Sequence, residues 1–316
     1  MSKLKKVIIG LLIMVIALPI TAFGYVYYKL NSMYEKTDIK GLETFDYINK
    51  DIVNILLVGV DGENLDKGNR SDAMMILTID NENKDIRLTS IARDTYAEIP
   101  GYSTEKLNHS YAYEGPSLLI ETINKNFNIP IDKYVAVSFK SFMDIVDEIG
   151  GIEVDVEADK IEIINNVISE TYEIYSEDKD TKPVELIQSS GNQNINGYQA
   201  LAFSRIRYTD SAYARDERQR EVISSAYNKL IGQDLGTIKD AAEIIRRNCK
   251  TNIAPLEMIE IAMKAYNIKD NDIEQLEFPL ETHRKDVLKA KKGWVIEWDK
   301  EYNRNALNDF IYNYNK

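Results

Sequence analysis

Cysteine and histidine are nearly absent from this chain. Cys249 is its only cysteine, so no internal disulfide can form and the fold must hold by its own core. His109 and His283 are the only histidines, too few for the usual zinc sites or for a serine–histidine relay. There is no Gly-x-x-x-x-Gly-Lys phosphate loop and no Gly-x-Ser-x-Gly elbow, which argues against Walker nucleotide chemistry and an α/β-hydrolase nucleophile. Basic charge is also scarce: 39 Lys and Arg stand against 51 Asp and Glu, a formal charge of −12. A nucleic-acid partner normally calls for a basic surface, so no nucleic acid is expected. Internal repeats and low-complexity linkers are missing too, which leaves one folded unit of ordinary composition.

The N-terminus supplies what the rest of the chain lacks, a long uncharged run. Lys3, Lys5 and Lys6 precede Val7 to Tyr28, which carries no charge. A bilayer core takes about 20 apolar residues in helix, and a basic flank stays in the cytoplasm. The expected organisation is a cytoplasmic tail at 1–6, a transmembrane anchor at 7–28, a polar tether at 29–50 and an extracytoplasmic domain at 51–316. A cleaved signal peptide is the alternative. Its apolar region spans only about 7–15 residues, so the length favours retention in the cell membrane as a single-pass protein.

From Ile52 the pattern is α/β. Val53 to Val60, Ala73 to Ile79 and Ile86 to Ile91 are apolar runs of the kind buried on both faces of a sheet, and Asp80 to Lys84 is a hairpin loop. Helices are expected at Pro116 to Phe127, Phe139 to Ile149, Gly197 to Ile206, Arg215 to Leu230, Ile238 to Asn248 and Pro255 to Tyr266. Further strands are expected at Lys133 to Val137 and Trp294 to Trp298, and a last helix near Ala306. Cys249 falls beside a helix and is expected within it. Residues 158–190 are acidic and are expected to form an exposed insertion with some helix. Strands alternating with helices give an α/β fold, a three-layer α-β-α sandwich.

Three clusters carry chemistry. Asp61 follows one buried run and Asp72 precedes the next. If the two strands are antiparallel neighbours, both carboxylates meet at one sheet edge and suit Mg²⁺ (or Mn²⁺), which keeps waters and takes phosphate oxygens. A glycine-rich acidic turn is the structural alternative. Arg93 and Asp94 end the third run, either on the same rim or as a plain surface ion pair. Lys106 is a further candidate phosphate contact, with a plain surface charge as the alternative.

The third cluster holds Arg205, Arg207, Asp210, Arg215, Arg218, Gln219 and Arg220. Five of the twelve arginines lie in this short stretch of an acidic chain. Arg215, Arg218 and Gln219 share a helix face that Val222, Ile223 and Ala226 continue inward. Positive charge in a first helical turn opposes the helix dipole at about 0.3–1 kcal/mol per charge, a cost that an anion among the guanidiniums relieves. On this basis Arg215→Ala is expected to cost little ligand-free stability. Arg87 is taken to lie on an edge-like strand away from the cluster.

The blocks Asn54–Asp61, Arg70–Met75, Ser90–Asp94, Lys106–Tyr113, Ile149–Asp155, Asn196–Arg207 and Arg215–Gln219 occur in an order that resembles the LytR-CpsA-Psr family of cell-wall glycopolymer transferases. The resemblance runs from about residue 52 to 231. It implies an α-β-α fold with an apolar pocket for polyprenyl pyrophosphate. It also implies Mg²⁺-assisted transfer of a lipid-linked glycopolymer, such as a teichoic acid or capsule polysaccharide, onto a peptidoglycan sugar hydroxyl. By position, Asp61 and Asp72 would hold the metal. Arg70, Arg93, Arg205, Arg207, Arg215, Arg218 and Gln219 would bind the pyrophosphate, and Asp94 or Asp210 would accept the proton. Other readings of the same pocket are a non-catalytic lipid-phosphate binder and a hydrolase of the lipid-linked saccharide.

Overall fold

The computed structural model describes residues 24–25, 27–42, 45, 49, 51–62, 65, 68–176, 179–206, 212–233, 235–268 and 273–312. The expected anchor at 7–28 falls almost wholly outside these. Among the described residues, no helix is long and apolar enough to cross a membrane.

Strands β1 (Ile52–Val60), β2 (Ser71–Asp80) and β3 (Asp85–Ile91) form an antiparallel meander. A small hairpin, β4 (Tyr96–Glu98) and β5 (Thr104–Lys106), and helices α1 (His109–Glu114) and α2 (Pro116–Phe127) lead to β6 (Lys133–Ser138), which runs parallel to β1. Next come α3 (Phe139–Glu148), β7 (Ile152–Val156), α4 (Ile161–Tyr175), β8 (Gly191–Ile195) and α5 (Gly197–Phe203). The long helix α6 (Ala212–Ile231) is followed by α7 (Leu235–Asn248), β9 (Cys249–Thr251), α8 (Pro255–Tyr266) and β10 (Ile273–Phe278). The β11 (Arg284–Lys289) and β12 (Gly293–Trp298) hairpin and helix α9 (Lys300–Tyr312) complete the order. The central sheet is mixed, with strand order β10-β3-β2-β1-β6-β9.

Alternation along the strands builds a core on each sheet face. Leu56, Val58, Met74, Ile76 and Ala136 pack against Leu119, Ile123 and Phe127 of α2 and Leu307 and Ile311 of α9. The residues between them, such as Ile55, Leu57, Leu77 and Val135, face Met258, Ile261 and Ala265 of α8 and Tyr227 of α6. Local signals set the helix ends. Pro116 opens α2 at the position that needs no amide proton. Ser138 caps α3 by accepting from the Ser141 amide at 3.2 Å. Gly150 and Gly151, at φ 79° and 82°, close α3.

Two expectations need correction. Residues 158–190 are exposed only in part: 179–183 and 188–190 are exposed, but the helix before them packs inward. Helix α4 buries Ile164, Val167, Ile168, Thr171 and Tyr172, a helical stripe, against β7, β8 and α5 in a second core. Cys249 begins strand β9 rather than ending a helix. Part of the segment expected as a tether meets the sheet edge: the Glu35 amide donates to Thr251 O at 2.8 Å, and the Thr251 amide to Met33 O at 3.1 Å. This segment covers the backbone of the short edge strand β9. The β7, β8, β10 and β11 strands are short or charge-rich and carry no strong sequence signal.

Candidate functional site

The rim of the site is set by an irregularity in strand pairing. Gly59 pairs with Ala73 and Val60 with Ser71, so Asp72 is the extra residue of a β-bulge. A bulge bends its strand and re-aims a side chain, and Asp72 therefore lies inside β2 rather than ahead of it. The Asp61 amide donates to Arg70 O at 3.1 Å, which brings Asp61 to the same edge. Arg93, just past β3, donates through Nη1 to Asp72 Oδ1 at 2.6 Å. Its Nε lies 3.7 Å from Asp94 Oδ2, and Lys106 Nζ lies 2.7 Å from Asp94 Oδ1. Pairing of Tyr96 with Lys106 delivers that lysine. The turn beneath is pinned by Thr95 Oγ1 donating to Ala92 O at 2.6 Å.

Behind the rim lies a cavity of about 280 Å³ between the sheet and helices α3, α6 and α7. Two ladder rungs make its floor: Met75, Leu57 and Val135, then Ala73, Gly59, Val137 and Cys249. The second rung is low because its middle residues are small. A Cβ added to Gly59 would stand 3.0 Å from Ala73 Cβ. Phe142, Val146, Val222, Ile223 and Ile245 help to enclose it, and burial pushes the Cys249 thiol up to about 12. Polar groups converge from Asp72, Ser204, Arg205, Arg215 and Gln219. Arg205 stacks its guanidinium 5.3 Å from the centre of the Phe139 ring.

The structure sorts the expected residues. Asp61, Asp72, Arg93, Asp94 and Lys106 share the rim, and Arg205, Arg215 and Gln219 line the cavity. Arg70 is exposed beside the rim. Arg218 is not among the cavity residues; its Nη2 donates to Ile206 O at 3.0 Å. Arg207 and Asp210 lie outside the described residues. Arg215 is buried with Asp216, at 3.0 Å, so its charge is already balanced and its truncation would strand a buried carboxylate. That overturns the expectation of a harmless Arg215→Ala. Burial holds the Asp216 carboxyl above the usual carboxylate range, with Arg215 opposing the shift. Arg87 is also corrected: β3 is flanked on both sides, and Arg87 is fully buried between Asp80 and Asp85.

Two contributors were missed. Asp216 follows Arg215 directly in sequence, and an acid next to an inward-facing arginine is a usable signal. Tyr175 donates its hydroxyl to Asp61 Oδ1 at 3.4 Å from α4, and only the tertiary fold reveals this.

The geometry defines a class, a mixed α/β domain able to seat an apolar chain with its anionic head among arginines. The LytR_cpsA_psr family model matches residues 20–306, and the chain belongs to this family. It is 31% identical over 297 residues to the polyisoprenyl-teichoic acid–peptidoglycan teichoic acid transferase TagU of Bacillus mycoides, covering 89% of this chain and 90% of that one. It is 31% identical over 271 residues to TagT of Bacillus subtilis, which carries the same transferase description, covering 80% and 79%. A solved structure of TagT bound to LIIa-WTA superposes with a TM-score of 0.64 at 26% identity, covering 85% of this chain and 93% of that one.

Proposed function

We propose that this protein transfers a glycopolymer, with its phosphate, from a polyprenyl pyrophosphate carrier to a sugar hydroxyl of peptidoglycan. The observation that carries the reading is the cavity itself, apolar along its length and closed at one end by Arg205, Arg215, Gln219 and Asp72. Its relatives TagU and TagT are named as transferases of teichoic acid to peptidoglycan. The polyprenyl chain fills the apolar length, and the pyrophosphate sits among the arginines, whose forked donors fit phosphate oxygens.

Two aspartates at one edge fit Mg²⁺ or Mn²⁺, which complete their shells with water and phosphate oxygens. Among the described residues no three His, Cys, Asp or Glu side chains gather as a metal site, here or elsewhere, so water and substrate oxygens would have to complete the shell. Asp61 and Asp72 would hold the ion, which would neutralise charge on the transferred phosphate. Arg93, which donates to Asp72 Oδ1, would turn to a pyrophosphate oxygen of the bound substrate. The arginines then stabilise charge that builds on the phosphoryl and leaving oxygens. Lys106 and Arg93 fix Asp94 at the rim. The proton of the attacking hydroxyl goes to Asp94 or Asp210; the base is the one whose Asn variant loses the acidic limb of the kcat/KM–pH profile.

Localisation follows the same reading: an anchor at 7–28 holds the α-β-α domain outside the cell membrane. Lys29 Nζ lies 3.3 Å from Glu243 on α7, the helix that brings Ile245 to the cavity. The chain's membrane-side end thus meets the helix lining the tail cavity. Mass spectrometry of lipid and saccharide products, with and without peptidoglycan fragments, tests the function. The expected result is metal-dependent release of polyprenyl phosphate with saccharide appearing on peptidoglycan. Asp61→Ala and Asp72→Ala should each abolish it while the fold persists. Saccharide freed only to water would make the protein a hydrolase, and no turnover at all would make it a binder.

A further inference from the structure

A second cavity, of about 310 Å³, opens between α3, α4 and the segment around Lys182 to Tyr198. Its lining differs from that of the first. Three tyrosines, Tyr172, Tyr175 and Tyr198, supply ring faces, and Asp144, Asp147 and Glu185 supply carboxylates beside Lys140 and Lys182. The framework is built rather than incidental. The Tyr172 and Tyr198 rings meet edge to face at 5.0 Å, and Tyr172 Oη donates to Lys182 O at 2.7 Å. Asp147 Oδ1 accepts the Gly197 amide at 2.7 Å, and Tyr198 Oη accepts the Glu185 amide at 2.9 Å.

This cavity adjoins the reacting end of the first. Tyr175 lines it and also donates to Asp61 Oδ1 at 3.4 Å. Tyr175, Tyr198 and Met143 pack in one cluster with Phe139, the ring beneath Arg205. The two cavities therefore share a wall at the arginine end.

We infer that this second cavity is the binding subsite for the acceptor saccharide, taking an uncharged acetamido-sugar ring of the glycan strand; the inference rests on the transferase reading above. Aromatic faces receive the C–H face of a pyranose, and carboxylates accept from its hydroxyls. The size is near the lower end of small-ligand sites, about 300–1,000 Å³. Charge separates the two saccharides of the reaction. Three carboxylates against two lysines disfavour a phosphate-bearing polymer, whereas an uncharged sugar ring meets no such penalty. A sugar held here stands beside Tyr175, with its hydroxyl close to the Asp61 edge.

The test uses the full chain in detergent and a lipid-free tetrasaccharide of N-acetylglucosamine, which carries the acetamido groups and no charge. Saturation-transfer NMR measures its affinity for wild type, for Asp144→Asn/Glu185→Gln, and for Ser176→Trp, which fills the cavity mouth. Both variants should bind the tetrasaccharide at least about tenfold more weakly, the first because sugar hydroxyls lose their carboxylate acceptors and the second because the indole occupies their place. Their melting-temperature rise with polyprenyl pyrophosphate should persist, which also shows that they fold. Equal tetrasaccharide affinity in all three proteins, or no binding by wild type, overturns the proposal. Weakened binding of the lipid-linked donor alone would assign the cavity to the donor saccharide and equally overturn it. Failure of polyprenyl pyrophosphate to stabilise wild type would strike the transferase reading instead, whatever the tetrasaccharide does.

Discussion

Arg215 and Arg220 stand on one helix and do opposite jobs. Arg215 faces the cavity, and among the described residues its ion pair is with Asp216. Arg220 turns toward the sheet, where it donates to Ser90 Oγ and, through Nε, to Gln275 Oε1 at 3.1 Å. Burial pulls the Arg220 guanidinium below its ordinary range, against the pull of Glu277 and Asp216. Arg87 belongs with Arg220: wholly buried, it is held by two carboxylates and by Ile311 O at 2.5 Å. What separates an anion-binding arginine from a strut is therefore where its fork points. A guanidinium that lines the cavity can take a ligand's oxygens; one turned into the sheet and held by protein acceptors there serves stability.

The largest effect should come from a strut. Arg87→Ala strands Asp80 in the core, and losing one partner of a buried pair costs about 3–5 kcal/mol. Chemical denaturation should show that loss. A variant as stable as wild type would break the contrast. Among the cavity arginines, Arg205→Ala is the cleaner probe, because Arg215 also balances Asp216. Arg205 rests on the Phe139 ring and is part-exposed, so stability should fall by no more than about 1 kcal/mol. Turnover should fall about 100- to 1,000-fold, the usual cost of removing one group that stabilises developing charge. Steady-state kinetics beside a melting curve checks both halves.

How much of this contrast was legible in the sequence depends on the range of the signal. The β1, β2 and β3 runs, the α2 bounds and the inward course from Arg215 and Gln219 to Val222 and Ile223 are local patterns, and the structure repeats them. The helix face alone could not separate Arg218 from Gln219, because the Ile206 carbonyl that claims Arg218 arrives from another element. The burial of helix α4 was hidden for a different reason. Its apolar stripe, Ile164, Val167, Ile168, Thr171 and Tyr172, is interleaved with Glu162, Glu170 and Glu173, and the following charged run outweighed the period. The Asp72 bulge and the Tyr175–Asp61 contact depend on strand register and on packing across the fold.

A smaller effect sharpens the contrast between the head and the tail of the cavity. Val135→Phe raises the floor beside Leu57, one rung farther from the Asp72 end than Gly59, so a long polyprenyl pyrophosphate should bind about tenfold or more weakly. A short-chain pyrophosphate should keep its affinity, because the arginine end is untouched. The two affinities by calorimetry decide it, and equal losses would mean that the floor and the head site are not separable. Overpacking should cost about 1–3 kcal/mol at most.

The smallest expected effect concerns a carboxylate saturated by its own protein. Glu105 accepts from Lys292, His109, Ser103 and Tyr113, and these bonds, that of Lys292 first, hold its carboxyl well below the usual range. A depressed folded-state value stabilises the fold above the ordinary carboxylate value of about 4.3. That contribution is lost as pH falls toward the folded value. Glu105→Gln should therefore melt below wild type at pH 7, with the gap narrowing as pH drops under about 4. A gap that does not change with pH would place the effect in packing.

The central claim is that the arginine end of the apolar cavity takes the pyrophosphate. A ligand that binds only the folded state raises stability by about 2.7 kcal/mol at one hundred times its dissociation constant. The deciding measurement is the melting temperature of the full chain with and without polyprenyl pyrophosphate and Mg²⁺. Wild type and Arg247→Ala, whose side chain is 66% exposed on α7, should show the same rise, and Arg205→Ala should lose most of it. Equal rises in all three proteins would contradict the account.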